Sequence, residues 1–132
     1  MDKKIPMNVH KAIRVILKPR NKGTGLPFKS GHKSGGREQL VEVFNKVGFK
    51  KGAEIGVRDG KFSLYMLNAI PDLKLICVDP WKAYSECNKQ WKLDAAYKVA
   101  VEKLSKFNVK ILKKSSFEAL NDVEDASLDF VL

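Results

Sequence analysis

The chain has 132 residues, of which 44% are hydrophobic, enough to fill one modest core, and it carries a net charge of +10. No run approaches the roughly 18 apolar residues of a membrane span, and the opening MDKKIPMNVHKAIRVILKPR has neither a long apolar region nor a small-residue cleavage site. A cytoplasmic protein is therefore expected, and Cys77 and Cys87, spaced neither as a metal knuckle nor as a redox pair, read as ordinary free thiols.

Charge is concentrated at the start. Residues 1–40 hold ten Lys or Arg against Asp2 and Glu38, a net of +8, whereas residues 41–132 hold fifteen against thirteen, a net of +2. Residues 1–36 thus read as a basic N-terminal arm with two possible uses. One is a solvated leader, built from poor core formers such as Lys18, Pro19, Arg20, Asn21, Gly23 and Gly25. The other is an electrostatic grip on nucleic acid or another acidic partner. Phe28 is the arm's single aromatic and no nucleic-acid motif is present, which favours the solvated reading. Val9, Ala12, Ile13, Ile16 and Leu17 fall at helical spacing and predict a short amphipathic helix that packs on the domain. The segment GLPFKSGHKSGG from Gly25 reads as a flexible linker. It is not a phosphate loop, because His32 intrudes between Gly31 and Lys33 and no strand precedes it. His10 and His32 have no partner at ligand spacing and read as surface residues, so no metal site is expected.

The organised domain spans residues 37–132. Leu40, Val43, Phe44 and Val47 form an apolar stripe, with Glu38 in the first turn, Lys46 in the last and Gly48 as the stop. A first strand is expected over Ala53–Val57, followed by a turn through Gly56 and Gly60 and a helix presenting Phe62, Tyr65, Met66 and Ile70 that Pro71 ends. The second strand, Leu73–Val78, is almost continuously apolar, as suits a parallel strand covered on both faces, and it runs into Asp79.

Strand, glycine turn, helix, strand and acid form the first half of a nucleotide-handling α/β domain. The turn lets a ligand approach the backbone at the helix N-terminus, and the acid can accept both hydroxyls of a ribose. A dinucleotide needs G-x-G-x-x-G so that its pyrophosphate can lie against bare backbone. Here Val57, Arg58 and Asp59 separate Gly56 from Gly60, so a side chain stands where the second glycine belongs. Asp59 and Glu54 add negative charge that repels phosphate. The pattern favours a ligand with a ribose and a positive charge.

The stretch WKAYSECNKQW is long for a strand-to-helix connection and holds Trp81, Tyr84 and Trp91. It is read either as a flap over the ligand, with Trp81 its nearest neighbour, or as a loop whose aromatics pack onto the next helix. That helix shows Leu93, Tyr97, Ala100, Leu104 and Phe107 on one stripe. Strands over Val109–Leu112 and Leu128–Leu132 follow. The expected fold is an α/β, Rossmann-like parallel sheet with helices on both faces and strand order 3-2-1-4, in which the first strand borders the switch point.

Glu54, Ile55, Gly56, Val57, Gly60, Phe62 and Ser63 match in order an E-I-G-V-x-x-G-x-F-S first motif. At these residues the chain resembles the S-adenosylmethionine-dependent methyltransferases of the Rossmann-like class, and within them the small-molecule type. The resemblance covers roughly residues 37–132. It implies that S-adenosylmethionine is the cofactor and that Glu54, Gly56, Val57, Gly60, Ser63, Asp79, Trp81 and Ser116 bind it. The backbone around Gly56 would lie against the methionine part, with Ser63 near its carboxylate. Asp79 would hold the ribose hydroxyls, Trp81 would flank the adenosine, and Ser116 would stand on the adenine side. Ser115 occupies a position where the family frequently has an acid. The family's sheet continues beyond the fourth strand into the acceptor half. The SLDFVL segment stops at Leu132, before that half, so an incomplete fold is expected, with self-association through the open last strand.

The implied cofactor carries an already activated methyl, so the protein need only align a nucleophile and exclude water, with a general base where the acceptor is a hydroxyl. No residue is assigned as that base. Three functions stay open: methyl transfer to a small-molecule acceptor, by this chain or with it as the cofactor-binding part; nucleic-acid methyl transfer using the basic arm; and a non-catalytic remnant that serves as an interaction module.

Overall fold

The computed structural model describes residues 7–12, 15–16 and 36–132. The predicted linker up to residue 35, Ile13, Leu17 and, Lys11 apart, the cations of the arm lie outside the described residues. The chain divides into two compact units, Met1–Phe49 and Lys50–Leu132.

The first unit holds helices α1 (Val9–Ala12) and α2 (Arg37–Val47). Ala12 is buried with Val43 and Val47, and Met7, Ile16 and Phe49 pack against them, so the predicted amphipathic segment does find an apolar face. Val9, on the same expected stripe, is exposed. α2 stops at Gly48 as the sequence predicts. The Phe49 N–H returns to the Phe44 carbonyl at 3.0 Å, and the two rings meet at 5.5 Å, the apolar contact that accompanies this type of helix end.

The second unit is a four-stranded parallel sheet in the order β3-β2-β1-β4, as expected from the sequence. β1 is Lys51–Ile55, β2 is Lys74–Val78, β3 is Val109–Leu112 and β4 is Phe130–Val131. Helix α3 (Lys61–Ala69) connects β1 to β2, and α4 (Gln90–Leu104) connects β2 to β3. Both crossovers step in one direction across the sheet, and right-handed connections then place both helices on one face. They pack on each other there, where Gly60, Ala100 and Leu104 are all buried. A short helix α5 (Ser116–Ala119) and a 3-10 turn, Leu120–Asp122, follow β3. On α3 the buried face is Ser63, Met66 and Leu67, continued by Ile70 just past its end, while Tyr65 is exposed and stacks on Phe62 at 6.0 Å.

β1 lies two residues earlier than the sequence suggests, and Asp129 is the reason. Its carboxylate accepts the N–H groups of Lys50 and Lys51 at 2.8 and 2.9 Å, and its own N–H donates to the Lys51 carbonyl at 2.7 Å. The Lys51-Gly52 pair ahead of the expected strand is thereby drawn into the ladder. Gly52 fits there because the ring of its register partner Phe130 occupies the space where a Cβ would stand. At the other end, Leu132 exchanges bonds with Ala53 and Ile55, at 2.9 and 2.7 Å, so the pairing of the fourth strand runs from Asp129 to Leu132.

Candidate functional site

The carboxyl ends of β1 and β2 meet where an open α/β sheet places its ligands. The β1 ladder ends at Ile55, and Gly56 donates its N–H to the Val78 carbonyl at 2.8 Å, which ties the two strand ends together. The following turn is built from left-handed residues: Gly56 at φ 88°, Arg58 at φ 55° and Gly60 at φ 75°. Glycine takes that conformation freely, but a side chain there is strained by about 1–2 kcal/mol. Nothing lies within 4 Å of the place a Cβ would occupy at Gly56, so the backbone there is open to a ligand. At Gly60 the same position is 3.2 Å from Leu104 Cδ1, so this glycine serves helix packing instead.

Asp79 holds the strained turn. One carboxylate oxygen accepts the Arg58 N–H at 2.9 Å and the other accepts the Trp81 N–H at 2.8 Å. Trp81 is itself left-handed, at φ 42°. Its indole N–H closes the ring of contacts by donating to the Arg58 carbonyl at 2.7 Å. Each carboxylate oxygen keeps a second lone pair, and Asp79 is half-buried, so it can take further donors from the solvent side.

The remaining predicted residues fall into two groups. Gly56 and Asp79 stand together at the sheet edge, and Ser116 is exposed at the start of α5 beyond β3. Glu54, Val57, Ser63 and Trp81 are buried. The Ser63 hydroxyl donates to the Glu54 carboxylate and accepts from the Cys77 thiol at 3.6 Å; Glu54 and Cys77 are register partners on β1 and β2. This buried polar contact fastens the first turn of α3 to the sheet. Burial, reinforced by the Glu54 charge, pushes the Cys77 thiol up to about 11, although the Ser63 contact works against it.

The loop after Asp79 divides between its two readings. Trp81 packs down onto α4, its ring 4.8 Å from that of Tyr97, whereas Tyr84 and Trp91 are exposed. Tyr84 and Cys87 pair through two backbone bonds of 3.0 and 3.1 Å. Ser115 caps α5: Glu118 donates its N–H to the serine hydroxyl at 3.2 Å, and its carboxylate accepts the Ser115 N–H at 3.0 Å. That backbone bond, followed by the serine hydroxyl and nearby lysines, holds the Glu118 carboxyl below the usual range.

One contributor escapes a reading of the sequence, and two that the sequence marks, Arg58 and Asp59, complete the turn beside it. Gln90 braces the loop by accepting the Ala83 N–H and donating to the Trp81 carbonyl, both at 2.8 Å; a polar residue at a helix start gives no hint of this. Arg58 acts through its backbone, and the Asp59-Gly60 pair after it is the turn signal that marks the place. Asp59 accepts the Lys61 N–H at 3.3 Å, so a carboxylate of the chain already occupies the N-terminus of α3 where a phosphate would sit. Among the described residues, no group of three or more His, Cys, Asp or Glu side chains is placed to hold a metal ion. No protein-family model matches the chain, and no curated protein matches it.

Proposed function

We propose that the unit Lys50–Leu132 binds S-adenosylmethionine at the carboxyl ends of β1 and β2 and serves methyl transfer, as the E-I-G-V-x-x-G-x-F-S resemblance implies. The observation that carries this reading is Asp79, a carboxylate anchored at both oxygens by loop amides, next to the open backbone of Gly56. Its remaining lone pairs suit two vicinal hydroxyls of a ribose. A bare backbone beside it suits the close approach of a second ligand part. Asp59 at the start of α3 disfavours a pyrophosphate there, which separates this ligand from a dinucleotide.

Bound in this way, S-adenosylmethionine would supply an activated methyl on its sulfonium. The residues of the chain then do three things. Asp79 holds the ribose, the Gly56 backbone receives the methionine part, and Ser116, exposed beyond β3, is available on the adenine side. Glu54, Ser63, Val57 and Trp81 act from within the fold, by fixing α3, the turn and Asp79 in place. No side chain is assigned as a general base. A small-molecule acceptor follows from the motif type, and the net of +8 in residues 1–40 is the observation behind a nucleic-acid acceptor as the second reading.

Titration calorimetry of the full chain with S-adenosylmethionine, S-adenosylhomocysteine and NAD tests the ligand. Saturable binding of the first two, with NAD much weaker, is expected. Preference for NAD, or no binding of any of the three, would remove the proposal.

A further inference from the structure

The same edge of the sheet carries a feature that cofactor binding leaves unused. Tyr84, Trp91 and Phe117 are 59%, 66% and 81% exposed. The loop bearing Tyr84 is nonetheless held, by the Tyr84–Cys87 pairing and by Gln90, and Trp91 stands on the first turn of α4. Rings fixed in water by a braced backbone add nothing to the core, and grouped exposure of this kind marks a binding surface. The rim is also basic: residues 81–92 hold three lysines against one glutamate. Asp122 is paired with Lys114, whereas Asp94 and Glu118 are hydrogen-bonded to the neutral Gln90 and Ser115 and keep their charges, so the cations in excess are those of the loop itself. The Lys113 ammonium lies 4.4 Å from the centre of the Tyr97 ring, and that of Lys92 lies 5.6 Å from the Trp91 ring. Val78 and Leu112 are register partners and the Asp79 N–H donates to the Leu112 carbonyl at 3.2 Å, so the aromatic loop and α5 leave neighbouring strand ends on one rim.

We propose that this rim binds single-stranded nucleic acid, with Tyr84, Trp91 and Phe117 offering their faces to unstacked bases while Lys82, Lys92 and Lys113 follow the phosphates. Interleaved rings and cations are the two elements that such recognition needs. A duplex hides its base faces and would leave the rings idle; an acidic peptide matches the charge but not the rings. Under the second of the two methyl-transfer readings, that of a nucleic-acid acceptor, the bound strand is that acceptor. Strand binding is measured with no cofactor present, so the two readings fail separately.

The test uses the full chain with a fluorescein-labelled oligothymidylate about fifteen nucleotides long, a length within the range that such grooves cover, and a duplex of equal length. Oligothymidylate should bind in preference to the duplex and quench the exposed Trp91, a quench lost in Trp91→Phe. The variant Tyr84→Ala/Trp91→Ala should fold normally, because both side chains are exposed, and bind roughly tenfold or more weakly. Lys82→Gln/Lys113→Gln should make the salt dependence shallower by roughly 0.7 for each cation lost. An unchanged affinity in the aromatic variant, no tryptophan quench, or capture by anionic phospholipid vesicles in place of the oligonucleotide would overturn the proposal.

Discussion

The Trp81 indole N–H reaches back across the sheet edge to the Arg58 carbonyl at 2.7 Å, and the backbone N–H groups of the same two residues share the Asp79 carboxylate between them. Two left-handed residues that would each be strained alone are thus fixed by one acid and one another. Removing the indole donor in Trp81→Phe keeps a ring beside Tyr97 but leaves a part-buried carbonyl unmet. A loss of about 1–3 kcal/mol is expected in urea unfolding. An unchanged unfolding midpoint would mean that the bond does not secure the turn.

Asp79→Ala removes a charged acceptor from two loop amides and, under the proposed function, from two ribose hydroxyls. Hydrogen bonds to charged groups are worth about 1.5–3 kcal/mol, so S-adenosylhomocysteine affinity should fall roughly tenfold or more. Calorimetry on the variant checks this. Equal affinity in a variant that still folds would detach Asp79 from the ligand.

Gly52→Ala drives a methyl into the Phe130 ring on the neighbouring strand. Overpacking of this kind costs about 1–3 kcal/mol. Phe130→Leu alone should also destabilise, but the double variant should be more stable than the two losses together require, with a coupling of about 0.5–3 kcal/mol. Strict additivity in denaturant unfolding would contradict the contact between Gly52 and Phe130.

Cys77 gives the fold a sensitivity to base. Its thiol stays protonated in the folded chain up to about 11, against an ordinary value of 9.0 in the unfolded one. Above pH 9 the unfolded chain therefore holds fewer protons, and stability falls as the pH rises from about 9 towards about 11, by about 2–3 kcal/mol. The contribution is intact below pH 9. Cys77→Ala should flatten that decline, whereas parallel stability curves for the two proteins would refute the assignment. In the native chain a thiol reagent should label the half-buried Cys87 well before the buried Cys77.

The order of elements and the place of Asp79 were legible in the sequence because they rest on local signals: apolar runs of strand length, helical spacing, and glycines at turns. Strand order followed from the handedness of crossovers. What the sequence concealed depends on partners far along the chain. Nothing near Lys51 announces that Asp129 will pair with its amide, so β1 was expected two residues late. The contact between Glu54 and Ser63 was hidden too, because the motif places both beside the glycine turn without showing that they face each other. In the fold, residue alternation along β1 turns Glu54 inward, where Ser63 meets it. Trp81 is likewise drawn inward by Tyr97, two turns into α4, while Tyr84 and Trp91 on the same stretch stay in water.

The bond between Lys50 and Asp129 also sets a schedule for assembly. It joins residues 79 positions apart, and β4 pairs with the central strand through the same clasp. During synthesis at about 5–20 residues per second, one side of β1 waits roughly 4–16 s for its neighbour. In that interval β1, β2 and the helix between them can form from contacts about twenty residues apart, but the outer edge of β1 stays open to any other extended strand. The acid that starts the central strand at Lys51 is thus also the residue whose late arrival closes that edge.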